Sequence, residues 1–256
     1  MKDELVWITG ASQGIGRAIA LECAAQGAKV AATARGEADL QALADDAAAL
    51  SGSIHAFPAD ITDGSAMGQT VVRIGQQLGP IDIAILNAGT HKPVSAEQFD
   101  SRDFAALITV NLLGTANTLE AVMPGMVARK AGHIAVVSSV AGYTGLPTAA
   151  YYGATKAALI NLCEALKFDL DKHGVHMHLI CPGFVRTPLT DLNEFPMPFL
   201  MEPEEAAKAL IKGLQSDRFE ITFPRRFTWM MKLLRVLPYW AYFPLVARGT
   251  KGESSS

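Results

Sequence analysis

The sequence predicts a doubly wound α/β domain: a mostly parallel, seven-stranded sheet with helices on both faces. Three observations predict it. Seven short apolar runs recur along the 256 residues, and each of the first six is followed by a longer stretch of helical character. The runs are apolar at successive rather than alternate positions, so both faces of the sheet must be covered. Half of the composition is hydrophobic, enough for one large core. A helix after each strand supplies both the cover and the crossover that parallel pairing needs.

The strands are expected at LVWIT (5–9), KVAATA (29–34), SIHAFPA (53–59), IDIAIL (81–86), HIAVVSS (133–139), VHMHLIC (175–181) and FEITF (219–223). The Pro-rich stretch 182–203 interrupts the alternation before a helix starting near Pro203, and its length marks a functional loop over about 184–203. Residues 1–224 are expected to form one domain. Residues 225–256 form an extension ending in the tail GESSS, which is expected to be disordered.

A net charge of −3 leaves no cationic excess for nucleic acid. The three cysteines, Cys23, Cys163 and Cys181, are odd in number and set in apolar contexts, which suits reduced core thiols. MKDELVWIT at the start lacks the apolar length of a signal peptide. No apolar run reaches the roughly 20 residues that span a bilayer. A cytoplasmic protein is expected, peripheral at a membrane surface if the extension binds one.

After the first run comes TGASQGIGRAIA, residues 9–20. Gly10, Gly14 and Gly16 fall where a strand must turn tightly, let backbone approach a pyrophosphate, and pack a helix against the sheet. The spacing is GxxxGxG and no Gly-Lys-Ser/Thr follows, which argues against an ATP-type phosphate loop. The second strand ends Thr33, Ala34, Arg35, with no acid before Glu37. An acid there would bind a ribose diol and repel a 2′-phosphate, whereas a guanidinium forks onto phosphate oxygens. Arg35, helped by Arg17, therefore predicts NADPH over NADH, with NAD(H) as the alternative.

In YYGATKAAL (151–159), Tyr152 and Lys156 stand four apart and share a helical face, while Tyr151 sits about 100° away beside Thr155. A ketone that accepts hydride needs a proton donor and a fixed hydrogen bond where charge develops. Tyr152 is the candidate donor. Lys156 is expected to bring its pKa down from about 10 by stabilising the phenolate. Ser139, thirteen residues before Tyr152, can polarise the substrate oxygen. Strand alternation puts Ser138 and Ser139 on opposite sides, and the spacing alone leaves Ser138 open as the alternative.

With TGASQGIG (9–16), Asp60, NAG (87–89), Asn111 in VNLLG, Ser139 in VSSVAG, Tyr152 and Lys156 in YGATK, and PG (182–183), the chain resembles the compact, single-domain short-chain dehydrogenase/reductases. The motifs run in order over roughly residues 5–190, far more specific together than any one alone. The resemblance implies a Rossmann-like fold with Asn111, Ser139, Tyr152 and Lys156 as the catalytic set. In it Asn111 binds a water that links Lys156 to solvent. It also implies cofactor contacts from Gly10, Ser12, Gln13, Gly14, Ile15 and Gly16. Asp60 and Ile61 would hold the adenine, and Asn87, Ala88 and Gly89 would support the cofactor strand. Tyr152 and Lys156 would face the nicotinamide ribose, Thr187 and the backbone near Val185 would hold its amide, and Pro182 and Gly183 would also contact the cofactor. A homodimer or homotetramer is implied, built on helices around 102–129 and 150–172.

Substrate contacts are expected from Ser139 and Tyr152, from the segment after Gly89, from Tyr143 to Leu146, and from Phe195 and Phe199 in the apolar loop. These suit a small lipophilic carbonyl compound. His133, His176 and His178 lack the further ligands of a metal site, so no metal is expected. Beyond the seventh strand, Trp229, Met230, Leu233, Leu234 and Leu237 recur with helical spacing. Six basic residues lie between Arg225 and Lys251 without one acid. The pattern fits a helix on a membrane surface over 225–248, a roof over the substrate site, or a subunit interface.

The expected activity is an NADPH-dependent reductase of a hydrophobic ketone or aldehyde, reversible as an alcohol dehydrogenase. A 3-oxoacyl thioester reductase is the enzymatic alternative. From another class, the fold could serve a non-catalytic dinucleotide sensor or membrane-associated binding protein. A pure binder has no need of the phenol.

Overall fold

The computed structural model describes residues 1–192, 197–216 and 218–250, so Phe195 lies outside the described residues. All seven expected strands form: β1 (Leu5–Thr9), β2 (Lys29–Thr33), β3 (Ser53–Ala56), β4 (Ile83–Leu86), β5 (His133–Val137), β6 (His176–Pro182) and β7 (Glu220–Phe223). They pair in parallel in the order β3-β2-β1-β4-β5-β6-β7. β3 was expected to run to Ala59. Its main chain does keep pairing, through Phe57 N to Ala32 O (2.8 Å) and Ala59 N to Ala34 O (3.0 Å). Pro58 falls at the alternate position where an edge strand needs no N–H.

Helices α1 (Gly14–Ala25), α2 (Glu37–Asp46) and α7 (Pro203–Leu214) cover one face. Their Ile19, Leu40, Leu43 and Leu210 pack with Val6 and Ile8 of β1. Helices α3 (Gly64–Leu78), α5 (Gly114–Arg129), α6 (Ala150–Lys172) and α8 (Arg225–Arg235) cover the other, where Met67, Val122, Leu159 and Met231 pack with Leu5 and Trp7. Alternation along β1 thus feeds two separate cores. The chain leaves β1 toward β2 but leaves β4 toward β5, and that reversal opens a crevice at the carboxyl ends of β1 and β4.

Helix α4 (Ser101–Ile108) runs into α5 through a π-helical turn, Thr109–Leu113, which brings Asn111 inward. By length and composition Ser101–Arg129 could cross a membrane, yet its Leu119, Val122 and Met126 belong to the core. The three cysteines are unpaired and buried, and burial pushes each thiol up to about 12.

Tyr151 is buried more firmly than its place beside Thr155 suggested. It stacks on Phe104, and its hydroxyl accepts from Asp100 N (2.6 Å) and donates to Asp100 O (2.9 Å). Tyr151→Phe is therefore expected to keep turnover near wild type but to cost about 1–3 kcal/mol by orphaning a backbone pair. Thermal denaturation beside a rate assay checks both.

The extension is not one helix. Pro238 ends the run, separating α8 from α9 (Tyr239–Thr250). The inner face of α8 is part of the core through Phe227 and Met231.

Candidate active site

The glycine turn between β1 and α1 has the backbone its sequence demands. Gly10 (φ +66°) and Gly14 (φ +55°) are left-handed, and a Cβ on Gly16 would collide with Gly10 O and lie 2.5 Å from Asn87 Nδ2. Gln13 caps α1 without a side-chain hydrogen bond, and no acid occupies the first turn. The helix thus directs its first amides and positive end at the crevice, which fits a pyrophosphate. The end of β4 is tied to this turn. Asn87 Nδ2 donates to Thr9 O (3.2 Å) and Gly10 O (3.1 Å), and Thr9 Oγ1 accepts from Asn87 N and Ala88 N. From the other side, Thr187 places its methyl 3.1 Å from where a Gly14 Cβ would stand. The Pro182–Thr187 segment is held there by Thr190, whose hydroxyl donates to Val185 O (2.8 Å) and accepts from Thr187 N (2.9 Å).

Arg35 stands exposed just past β2. Arg17 does not join it, because its guanidinium is paired with Asp46 at the end of α2. Asp39 Oδ2 folds back to within 2.6 Å of a Cβ position on Gly36. Asp60 Oδ1 accepts from Thr62 N (2.9 Å) and Thr62 Oγ1 (2.8 Å), and the Thr62 amide foremost holds its carboxyl below the usual range. Ile61 packs against Gly114, where its side chain leaves no room for a Cβ.

The catalytic candidates meet where β5 ends. Lys156 is 3% exposed, donates to Val137 O (2.8 Å), and lies 5.5 Å from the Tyr152 ring centroid. Ser139 caps the short turn Val140–Gly142, its Oγ accepting from Ala141 N (3.1 Å), and its side chain favours the ionised form of the Tyr152 phenol. Ser138 points the other way, as strand alternation requires, and donates to Lys156 O (2.9 Å), fixing α6 to β5. Gly89 closes the group, a Cβ there lying 3.5 Å from Lys156 Nζ and 3.3 Å from Asn111 Oδ1.

Three candidates have contacts that the sequence did not show. Asn111 has its carboxamide engaged, Oδ1 accepting from Thr90 N (2.7 Å) and Nδ2 donating to Thr90 O (2.9 Å) and Thr155 Oγ1 (3.0 Å). Its carboxamide thereby holds the loop after β4. In the cofactor-free protein, desolvation opposes the lowering of the phenol expected from Lys156. Burial raises Tyr152 to about 12 against the opposing Ser139 bond, and burial lowers Lys156 to about 8. Tyr143 is core rather than pocket lining. It is 6% exposed and its hydroxyl donates to Glu220 Oε1 (2.6 Å), which also pairs with Lys232 of α8. Phe199 remains half exposed, its ring 6.2 Å from that of Phe227.

His91 was not singled out, yet its ring meets Tyr152 edge-on at 4.9 Å. Only its place two residues past Gly89 hinted at this. His133, His176 and His178 stack across β5 and β6, and among the described residues no group of three or more His, Cys, Asp or Glu could hold a metal.

The family model described as short chain dehydrogenase matches residues 4–195. An uncharacterized oxidoreductase of Myxococcus xanthus is 38% identical over 231 residues, 90% of this chain and 91% of its own length. A 3-oxoacyl-acyl-carrier-protein reductase of Thermotoga maritima is 30% identical, covering 82% of this chain and 90% of its own. The crystal structure of a 3-ketoacyl-ACP reductase from Sinorhizobium meliloti superposes with a TM-score of 0.76 at 31% identity, covering 86% of this chain and 96% of the other.

Proposed function

Since the chain belongs to the short-chain dehydrogenase family and is an NAD(P)-dependent oxidoreductase, we propose that it reduces the carbonyl of a hydrophobic ketone or aldehyde with NADPH, reversibly. The observation that carries this reading is the meeting of Ser139, Tyr152 and Lys156 beside Gly89 at the mouth of the crevice. When bound, the reduced nicotinamide supplies the hydride. Ser139 polarises the substrate oxygen, and Tyr152 gives that oxygen its proton as the new C–H bond forms. Lys156 holds the ammonium that offsets charge on the phenol oxygen. Asn111, through Thr90, keeps the Gly89 backbone in place, and His91 fixes the plane of the Tyr152 ring.

The apolar residues of the 184–203 loop, Phe199 and Met201 among them, favour a lipophilic substrate. The test is NADPH oxidation with a panel of alkyl and aryl ketones and aldehydes. Tight cofactor binding without turnover of any of them would favour the non-catalytic sensor. A 3-oxoacyl thioester reductase is the second reading, favoured by the relatives from Thermotoga and Sinorhizobium. A carrier protein would need free cations at the entrance. Of the scattered candidates, Arg186 is paired with Glu202 (3.0 Å), Arg129 is bonded to Ile81 O, and only Lys130 is exposed without a side-chain partner among the described residues, so the simpler carbonyl compound is kept as the first reading. Turnover of acetoacetyl-coenzyme A far above the ketone panel would reverse that preference.

Arg35 is the group that selects the 2′-phosphate, while the nearby Asp39 leaves NAD(H) as the alternative. Arg35→Asp is expected to cut the NADPH-over-NADH ratio of kcat/KM by roughly 10–100-fold, the worth of a charged hydrogen bond. An unchanged ratio removes the assignment. Assembly into a homodimer or homotetramer through α5 and α6 belongs to the same reading.

A further inference from the structure

The outer surface of the last two helices is built the wrong way round for water. α8 puts Phe227, Thr228 and Met231 into the protein, as a surface helix should. Its opposite face then carries Trp229 (72% exposed), Leu233 (64%) and, just past the helix, Val236 (74%) at spacings of four and three, with Met230 alongside. α9 continues the pattern with Tyr239 (75%), Trp240 (81%) and Phe243 (62%). Single exposed apolar residues are ordinary, but a run of this size on two consecutive helices marks a contact surface.

Charge says what the contact is. Residues 225–251 hold six of the basic residues and no acid, while the rest of the chain holds 16 basic against 25 acidic. Arg225, Arg226 and Arg235 are exposed on the same helix as the bare aromatic and aliphatic side chains. Aromatic rings with a polar edge, aliphatic side chains and guanidinium groups together match a bilayer interface with anionic headgroups. Neither helix can span, since α8 has 11 residues and α9 has 12, against the roughly 20 that a crossing needs. The surface is also anchored. Tyr242, 3% exposed, donates its hydroxyl to Gly145 O, and Lys232 pairs with Glu220, so the helices are held to the turn after β5 and to the sheet edge.

We propose that α8 and α9 dock the protein on the surface of an anionic phospholipid bilayer, Trp229, Leu233, Trp240 and Phe243 entering the interface and Arg225, Arg226 and Arg235 meeting its headgroups. The docked face adjoins the turn that follows Ser139, so a lipophilic substrate dissolved in the bilayer would lie next to the site.

The full chain is sedimented with phosphatidylcholine vesicles with and without phosphatidylglycerol. Binding is expected to the anionic vesicles, to weaken with salt, and to shift tryptophan emission to the blue, because Trp7 is already buried and only Trp229 and Trp240 change surroundings. The triple variant Trp229→Ser, Leu233→Ser, Trp240→Ser is expected to lower partitioning by roughly a hundredfold or more. Its circular dichroism and thermal unfolding should match wild type, since all three side chains are exposed. Failure of the wild-type chain to bind anionic vesicles overturns the proposal, as does undiminished binding by the triple variant. Conversion of an oligomer to a monomer by that variant, without vesicle binding by wild type, would show that a second copy of the chain covers this face.

Discussion

Tyr152→Phe is expected to keep the fold and the cofactor affinity while slowing carbonyl reduction by at least about 10²–10⁴-fold, the range that general acid catalysis contributes. The substitution removes one oxygen and nothing else. The ring keeps its edge contact with His91 and its place 5.5 Å from Lys156 Nζ, and α6 keeps its tie to β5 through Ser138. Ser139 would still polarise the substrate oxygen, but no proton would follow. Cofactor fluorescence titration beside steady-state rates separates the two effects, and full activity in the variant would remove the proposed acid.

Lys156→Met is expected to abolish useful reduction and, in the cofactor-free protein near neutral pH, to raise stability. Lys156 is 3% exposed, and burial lowers its pKa from 10.5 to about 8. Below about 8 the ammonium is protonated in both folded and unfolded states, so the full cost of burying the charge is present. Between about 8 and 10.5 the folded state has released the proton and the unfolded state still holds it, so stability rises with pH. A shift of that size corresponds to roughly 3 kcal/mol, which the methionine avoids apart from its lost bond to Val137 O. Thermal melts should therefore show wild type gaining on the variant as pH climbs through that window. Over the same rise, reduction by wild type should fall as the ammonium is lost. Parallel melting curves at all pH values would refute the buried cation.

What could be read in the sequence was whatever short-range pattern controls. The seven strands are runs of apolar residues with cover on both sides, and each lies within a few residues of its expected place. Gly10, Gly14 and Gly16 sit in one turn, and Tyr152 and Lys156 sit one helical turn apart, so local spacing alone puts them together. What could not be read depended on partners far along the chain. Tyr143 finds Glu220 at 77 residues' distance, Asn111 finds Thr90 at 21, and Tyr151 finds Asp100 at 51. No periodicity encodes such meetings. The desolvation of Tyr152 could not be read either, because a neighbouring charge can be seen in a sequence and the depth of burial cannot. The break at Pro238 was legible as a helix breaker, but the aromatic residues around it suggested continuity.

The three cysteines give the chain a clock. With every thiol enclosed and pushed up to about 12, almost none is thiolate at neutral pH, and an alkylating reagent must wait for the structure to open before it can react. Cys23 lies in the core between β1 and α1, and Cys163 and Cys181 lie in the core on the opposite side of the sheet. The order in which the three become modified therefore records which layer comes apart first.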